Sequence, residues 1–231
     1  MQISIKRDKR VEHFKINKVT TLLEALYQIK TIKDSTLTFD SGCRSGICGC
    51  CSVRVNGKEV LACRYKVKDK DFIEPLKHYP IKKDLLVDKS SSLNLLKREK
   101  ATINNYKEEI LDKKDEALTQ IQTDCILCSS CYSACPVIEV NREFLGPFAL
   151  TRAYRYSVDK REGNLKIIID NLQVNGIWDC TLCNECTLVC PMGIDPKNDI
   201  VQLRNLSAKF GYINPNFTNM GFNNSFGFNS F

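Results

Sequence analysis

One cysteine run, present twice, restricts this chain more than any other feature. Cys125-Ile126-Leu127-Cys128-Ser129-Ser130-Cys131-Tyr132-Ser133-Ala134-Cys135-Pro136 recurs as Cys180-Thr181-Leu182-Cys183-Asn184-Glu185-Cys186-Thr187-Leu188-Val189-Cys190-Pro191. Both copies read C-x2-C-x2-C-x3-C-P. Three thiolates inside seven residues can hold three iron corners of one cubane iron–sulfur cluster. The fourth cysteine, set apart by a longer spacer and a proline, serves the other cube. The expected ligand sets therefore cross: Cys125, Cys128, Cys131 with Cys190, and Cys180, Cys183, Cys186 with Cys135. A crossed arrangement ties distant segments into one unit whose folding and cluster binding are coupled.

Structural zinc also takes four cysteines, but zinc knuckles come as separated C-x2-C pairs, unlike these triplets. Disulfides suit the pattern less well. The chain holds thirteen cysteines, an odd number, and neighbours this tightly spaced pair poorly.

At 231 residues the chain has room for two modest domains, each with its own core. No apolar run approaches the ~20 residues of a membrane span, and the first thirty residues carry no signal-peptide pattern or twin arginine. The expectation is a soluble, unexported chain whose cysteines hold metal clusters in a reducing compartment. A formal charge of +7 points to an acidic partner surface or an anionic lipid face. Nucleic acid is not the expected partner, because the lysines are scattered and no aromatic–basic motif accompanies them.

Residues 2–7 and 11–16 alternate apolar and polar, as paired strands do. Val19, Leu22, Leu23, Leu26 and Ile29 follow helical spacing, which predicts an amphipathic helix over 19–30 lying on that sheet. A glycine-rich loop follows. Within it Cys43, Cys48 and Cys51 give C-x4-C-x2-C, the plant-type [2Fe–2S] spacing, and Cys63 closes the set. Gly42, Gly46 and Gly49 let backbone amides approach the sulfides. Residues 52–55 and 59–62 flank Asn56-Gly57, a hairpin signal that returns Cys63 beside the loop. Cys50 is left over, since substituting it for Cys51 breaks the C-x2-C step. It reads as a small bystander.

Further β signal lies at 72–76, and Tyr79-Pro80 marks a domain exit. Residues 81–123, rich in lysine and glutamate, read as a connector of partly exposed helices. Beyond the first cluster run, Gly146-Pro147 opens a helix through Tyr156, Leu165–Leu172 form another, and Asp195-Pro196 caps one reaching about Ser207. The expected architecture is α+β. It comprises a [2Fe–2S] domain (1–80), a helical connector (81–123), an all-helical two-cube domain (124–210) and a tail (211–231). The tail is built mainly of asparagine, phenylalanine, glycine and serine. It is expected to be disordered in isolation, or docked through its phenylalanines on a partner or lipid surface.

The two histidines, His13 and His78, sit beside no nucleophile, and no phosphate-cradling glycine loop appears. Nothing equips the chain for substrate chemistry or for a flavin of its own. A row of redox centres without a substrate site describes a conductor between partners.

The strand–strand–helix–cysteine loop order resembles the β-grasp ferredoxin fold, and the doubled run resembles two-cluster ferredoxins. Their combination is similar to the iron–sulfur subunit of succinate dehydrogenase and fumarate reductase. The similarity spans about residues 1–210. It rests on Cys43-Arg-Ser-Gly-Ile-Cys48-Gly, Leu61-Ala-Cys63-Arg64, Asp84-Leu-Leu-Val-Asp88, Cys125-Ile-Leu-Cys128, Gly146-Pro147 and Arg152-Ala-Tyr-Arg155. It implies that the chain passes electrons between an FAD flavoprotein subunit, which interconverts succinate and fumarate, and a quinone at a membrane-side subunit.

Three positions depart from the usual member. Cys183 stands where most carry a non-cysteine residue and hence a [3Fe–4S] cluster. The expectation here is two [4Fe–4S] clusters, with one [4Fe–4S] and one [3Fe–4S] as the alternative. Val140 replaces the quinone-site tryptophan, and Thr181 the histidine after the first cysteine of the second run. These departures resemble the subgroup that includes methylmenaquinol:fumarate reductases, whose membrane-side partner is a cysteine-rich CCG-domain protein, and they suit a low-potential or thiol-linked acceptor. The implied location is peripheral, on the cytoplasmic face of the membrane, or on the outer face if a signal-bearing partner carries the subunit across. The competing readings are the cluster subunit of a glycolate oxidase- or heterodisulfide reductase-like complex, and a free-standing multi-cluster ferredoxin.

Overall fold

A computed structural model describes residues 1–215 apart from 9, 18 and 101. The expectations for the tail beyond 215 lie outside the described residues.

The chain opens with β1 (Gln2–Arg7) and β2 (Arg10–Lys15), an antiparallel pair in which Ile3 faces Phe14. Period-two alternation sends Ile3 and Ile5 inward, where both are fully buried. Helix α1 (Leu22–Gln28) starts later than the apolar spacing predicts. Thr21 and Glu24 form a capping box, which fixes the start and leaves Val19 outside the helix. A single π-type turn, Ile29–Lys33, extends it. Strands β3 (Ser52–Val55) and β4 (Lys58–Leu61) are joined through Asn56 and Gly57, both at positive φ (50° and 84°), as a two-residue hairpin turn requires. Strand β5 (Phe72–Glu74) runs parallel to β1 and antiparallel to β3, giving the sheet order β2-β1-β5-β3-β4.

Residues 81–87 are not helical. They form a small hairpin, β6 (Ile81–Lys83) with β7 (Leu86–Val87). Its turn is drawn back onto the first domain by a buried ion pair. Arg7 Nε and Nη2 donate to the two oxygens of Asp84 at 3.0 and 3.2 Å, and Arg7 also pairs with Glu12 and Asp34. Leu85 completes the same apolar core. Helices α2 (Ser90–Arg98) and α3 (Lys113–Thr123) follow, separated by a stretch whose described residues form no regular element.

The second half is helical. It contains α4 (Ser130–Ser133), α5 (Val137–Val140), α6 (Pro147–Ser157), α7 (Leu165–Asn171), α8 (Glu185–Leu188) and α9 (Pro196–Lys209). Prolines at the first positions of α6 and α9 open both helices where a backbone donor has no partner to lose. The two pack against each other around Phe144, Leu150, Ile168, Ile200 and Leu203, all fully buried. No helix among the described residues is long and apolar enough to cross a membrane.

Candidate metal centre

The first loop wraps its own leading sulfur. The amides of Ser45, Ile47 and Cys48 point at Cys43 Sγ over 3.4, 3.3 and 3.3 Å, and the Cys43 amide donates to Cys48 Sγ at 3.3 Å. These donors hold the Cys43 thiol down at about 6, so it favours the thiolate that binds iron. Cys51 lies at the buried floor of the loop, and burial pushes its thiol up to about 12. The Cys63 amide and thiol face it from the end of β4, so the hairpin returns Cys63 to the loop. Cys50 turns its sulfur back toward the Cys48 carbonyl, 3.8 Å away.

The two later runs repeat one backbone conformation. Leu127 and Ser129 in the first copy, and Leu182 and Asn184 in the second, all hold positive φ, between 50° and 73°. A left-handed leucine is unfavourable in isolation and persists only where its surroundings enforce it. The turn aims the following amides inward. Leu182 N donates to Cys180 Sγ at 3.4 Å, and Leu127 makes the matching bond to Cys125. After each Cys-Pro step the next free amides serve the fourth sulfur: Val137 and Ile138 on Cys135, and Met192, Gly193 and Ile194 on Cys190.

The sulfurs gather across the two runs. Cys125, Cys128, Cys131 and Cys190 line one cavity together with Phe148 and Thr151. Cys135, Cys180, Cys183 and Cys186 lie close enough to act on one another electrostatically. The fourth cysteine of each run thus sits with the first three of the other. Burial pushes Cys131 well above the ordinary thiol range, Cys135 to about 11 and Cys186 to about 12. Such thiols give up their protons when iron supplies the compensating positive charge. Among the described residues no three donor side chains converge on a single metal ion. Amide donors aimed at sulfur and thiols gathered in fours are the chemistry that iron–sulfur clusters require.

The halves meet at these loops. Cys128 belongs to the apolar core of the first domain, Ser133 Oγ donates to Glu59 at 2.8 Å, and Lys89 Nζ reaches the Cys128 carbonyl at 3.4 Å. On the second set, Arg204 of α9 donates through Nη2 to the Cys180 carbonyl at 2.6 Å and through Nε and Nη2 to that of Ile177. Sequence reasoning missed Lys89, Arg204 and the left-handed leucines. Only the leucines left a trace: both runs carry Leu two residues after their first cysteine.

Comparison with known proteins agrees with this geometry. Residues 3–94 match a 2Fe-2S iron-sulfur cluster binding domain, and residues 121–194 a 4Fe-4S dicluster domain. The chain is 37% identical over 211 residues to the fumarate reductase iron-sulfur subunit of Haemophilus influenzae, covering 82% of each chain. It is 36% identical over 207 residues to the 8-methylmenaquinol:fumarate reductase iron-sulfur subunit of Wolinella succinogenes, covering 83% of this chain and 65% of that one. Its fold superposes on a chain of the Mycobacterium smegmatis Sdh1 complex in the apo form with a TM-score of 0.79, at 20% identity and over 92% and 97% of the two chains. The chain belongs to the iron–sulfur subunits of the succinate dehydrogenase and fumarate reductase family.

Proposed function

We propose that Cys43, Cys48, Cys51 and Cys63 hold a [2Fe–2S] cluster. Cys125, Cys128, Cys131 and Cys190 hold a [4Fe–4S] cluster, and Cys135, Cys180, Cys183 and Cys186 hold a second one. When bound, clusters of these types supply one-electron transfer. The chain is the electron-transfer subunit of a succinate dehydrogenase/fumarate reductase complex. It works between a flavoprotein subunit that carries FAD and a membrane-anchoring subunit.

The observation that carries this reading is that each end set has one exposed cysteine, Cys43 in the first and Cys183 in the last, and the middle set has none. The ends can therefore meet partners. Adjacency supports the same order, because the first loop touches Cys128 and the charge of Cys131 acts together with that of Cys186.

The membrane-side partner we propose is a CCG-domain protein that hands electrons to or from a low-potential quinone of the methylmenaquinone type. Cys183, in place of the more usual non-cysteine residue, supports this. So does Val140, which stands 87% exposed and itself offers a quinone no aromatic ring. The relative in Wolinella succinogenes carries methylmenaquinol in its name. The location that follows is peripheral, at the cytoplasmic face unless a signal-bearing partner exports the assembly.

Iron and sulfide analysis of anaerobically purified protein tests the ligand sets: about ten iron per chain is expected. A [3Fe–4S] resonance in freshly isolated, air-free protein refutes the role given to Cys183. Co-purification with a flavoprotein and a CCG-domain protein tests the partners, and elution as a lone chain counts against them.

A further inference from the structure

We propose that Gly49 is a positioning residue that sets the electron-transfer gap between the [2Fe–2S] loop and the first cubane loop. The proposal rests on the ligand sets given above, and it concerns a residue that touches no sulfur of its own. Gly49 is buried between Cys48 and the leftover Cys50, with φ at +70°. A Cβ built there would lie 2.9 Å from Cys128 Cα, 2.9 Å from Cys128 Cβ and 2.9 Å from the Ile126 carbonyl oxygen. Two of these three atoms are backbone, so no rotamer change clears them.

That backbone is also held from behind. Lys89 Nζ bonds the Cys128 carbonyl at 3.4 Å. Ser133, five residues on, donates to Glu59 and accepts from the Lys77 amide, both at 2.8 Å. An ordinary side-chain contact begins near 3.4 Å, so any residue other than glycine drives the two loops apart by about half an ångström or more. Tunnelling rates fall exponentially with distance and magnetic coupling falls with its cube. A missing methyl group at this one point therefore governs how well the first and middle centres communicate.

Backbone strain alone does not single out Gly49. Gly57 has φ +84°, and its Cβ would meet only Arg54 Nη2 at 3.8 Å. Gly57→Ala thus carries the same penalty for positive φ without a clash, and serves as the matched control.

The test uses the reduced holoprotein and follows the relaxation of the [2Fe–2S] electron-spin resonance as the neighbouring cubane is reduced. Wild type and Gly49→Ala are measured beside Gly57→Ala, with iron content determined in each. Enhanced relaxation is expected in wild type and in Gly57→Ala, with partial loss in Gly49→Ala at unchanged iron. Low iron in wild type would count against the ligand sets and is read separately. Ser133→Ala loosens the same junction without touching the first loop. It should give a smaller loss in the same direction, which keeps the question answerable if Gly49→Ala fails to take up clusters. Wild-type relaxation in Gly49→Ala, an equal loss in Gly57→Ala, or no change in Ser133→Ala together with cluster-free Gly49→Ala would overturn the proposal.

Discussion

Asp199 is a buried carboxylate without a cation, and replacing it should make the protein more stable rather than less. It sits on α9 at 1% exposure and accepts from Gln122 Nε2 of α3 at 2.9 Å. No ordinary hydrogen bond reaches its second oxygen or the Gln122 carbonyl oxygen, although the Thr151 hydroxyl lies close to the carboxylate. Burial raises its pKa from the ordinary 3.8 to about 6, partly offset by Gln122 and by the Thr151 hydroxyl. The folded protein therefore holds this proton more tightly than the unfolded chain does. Stability is greatest below pH ~4, falls as the pH rises toward 6, and stays reduced above that. A difference of about two pKa units corresponds to about 3 kcal/mol. Asp199→Asn keeps the oxygen that Gln122 bonds and adds a donor for the orphaned carbonyl, and it carries no charge at any pH. Near pH 7.5 the variant should gain up to about 3 kcal/mol, or roughly 6–12 °C of melting temperature for a chain of this size. At pH 4 the gain should vanish. Anaerobic thermal unfolding of the holoprotein across pH 4–8 reads this directly. A variant that melts lower than wild type at pH 7.5, or a difference that does not change with pH, would show that the carboxylate is compensated in a way the hydrogen bonds do not reveal.

Other outcomes separate ligands from bystanders and locate the strongest internal tie. Cys183→Ser should lower iron content and weaken or convert one cubane signal, whereas Cys50→Ser should leave all three cluster spectra intact. A lost [2Fe–2S] spectrum in the Cys50 variant would show that the third ligand was misassigned. Arg7→Ala leaves Asp84 buried and unpaired at 1% exposure, so it should destabilise the first domain by about 3–5 kcal/mol. Loss of the [2Fe–2S] absorbance on heating, well before the cubane signals, would be its signature, and a melting point unchanged within error would refute it.

What could be read from the sequence was what local spacing enforces. The cysteine triplets announce themselves in the sequence, and the structure brings each set of three near the distant fourth. Alternation at Ile3 and Ile5, the Asn56-Gly57 turn and the prolines opening α6 and α9 were equally local, and each element formed where its residues indicated. The hairpin at 81–87 escaped because its cause is remote. Ile81-Lys82-Lys83 is wholly exposed and carries no core signal, and the segment is pinned by a guanidinium 77 residues earlier in the chain. The helix after Thr20 began late for the opposite reason. Val19 fits the apolar period, but the reciprocal bonds of Thr21 and Glu24 decide the boundary. Contacts between the two cysteine-bearing regions were invisible for the same reason as the hairpin: nothing near Gly49 announces that Cys128 will press against it.

Arg204 sets a fixed charge beside the second proposed cube. Its guanidinium spans the Ile177 and Cys180 carbonyls and lies 5.5 Å from the centre of the Trp178 ring. Burial lowers its pKa, yet an arginine stays charged at neutral pH, and that charge acts on Cys180. Adding an electron to a cluster adds negative charge. A fixed cation beside the second set favours its reduced state, as Lys89 at the Cys128 carbonyl and Arg152 near Cys125 do for the middle set. The second cube should therefore lose potential when the Arg204 charge is removed. Arg204→Met should lower it by on the order of tens of millivolts, while Arg204→Lys, which keeps the charge and loses the fork, should restore most of the difference. Redox titration of the two cubane signals in the three proteins decides the matter. If methionine and lysine shift the potential equally, the arginine acts by holding the Cys180 loop in shape and its charge is incidental.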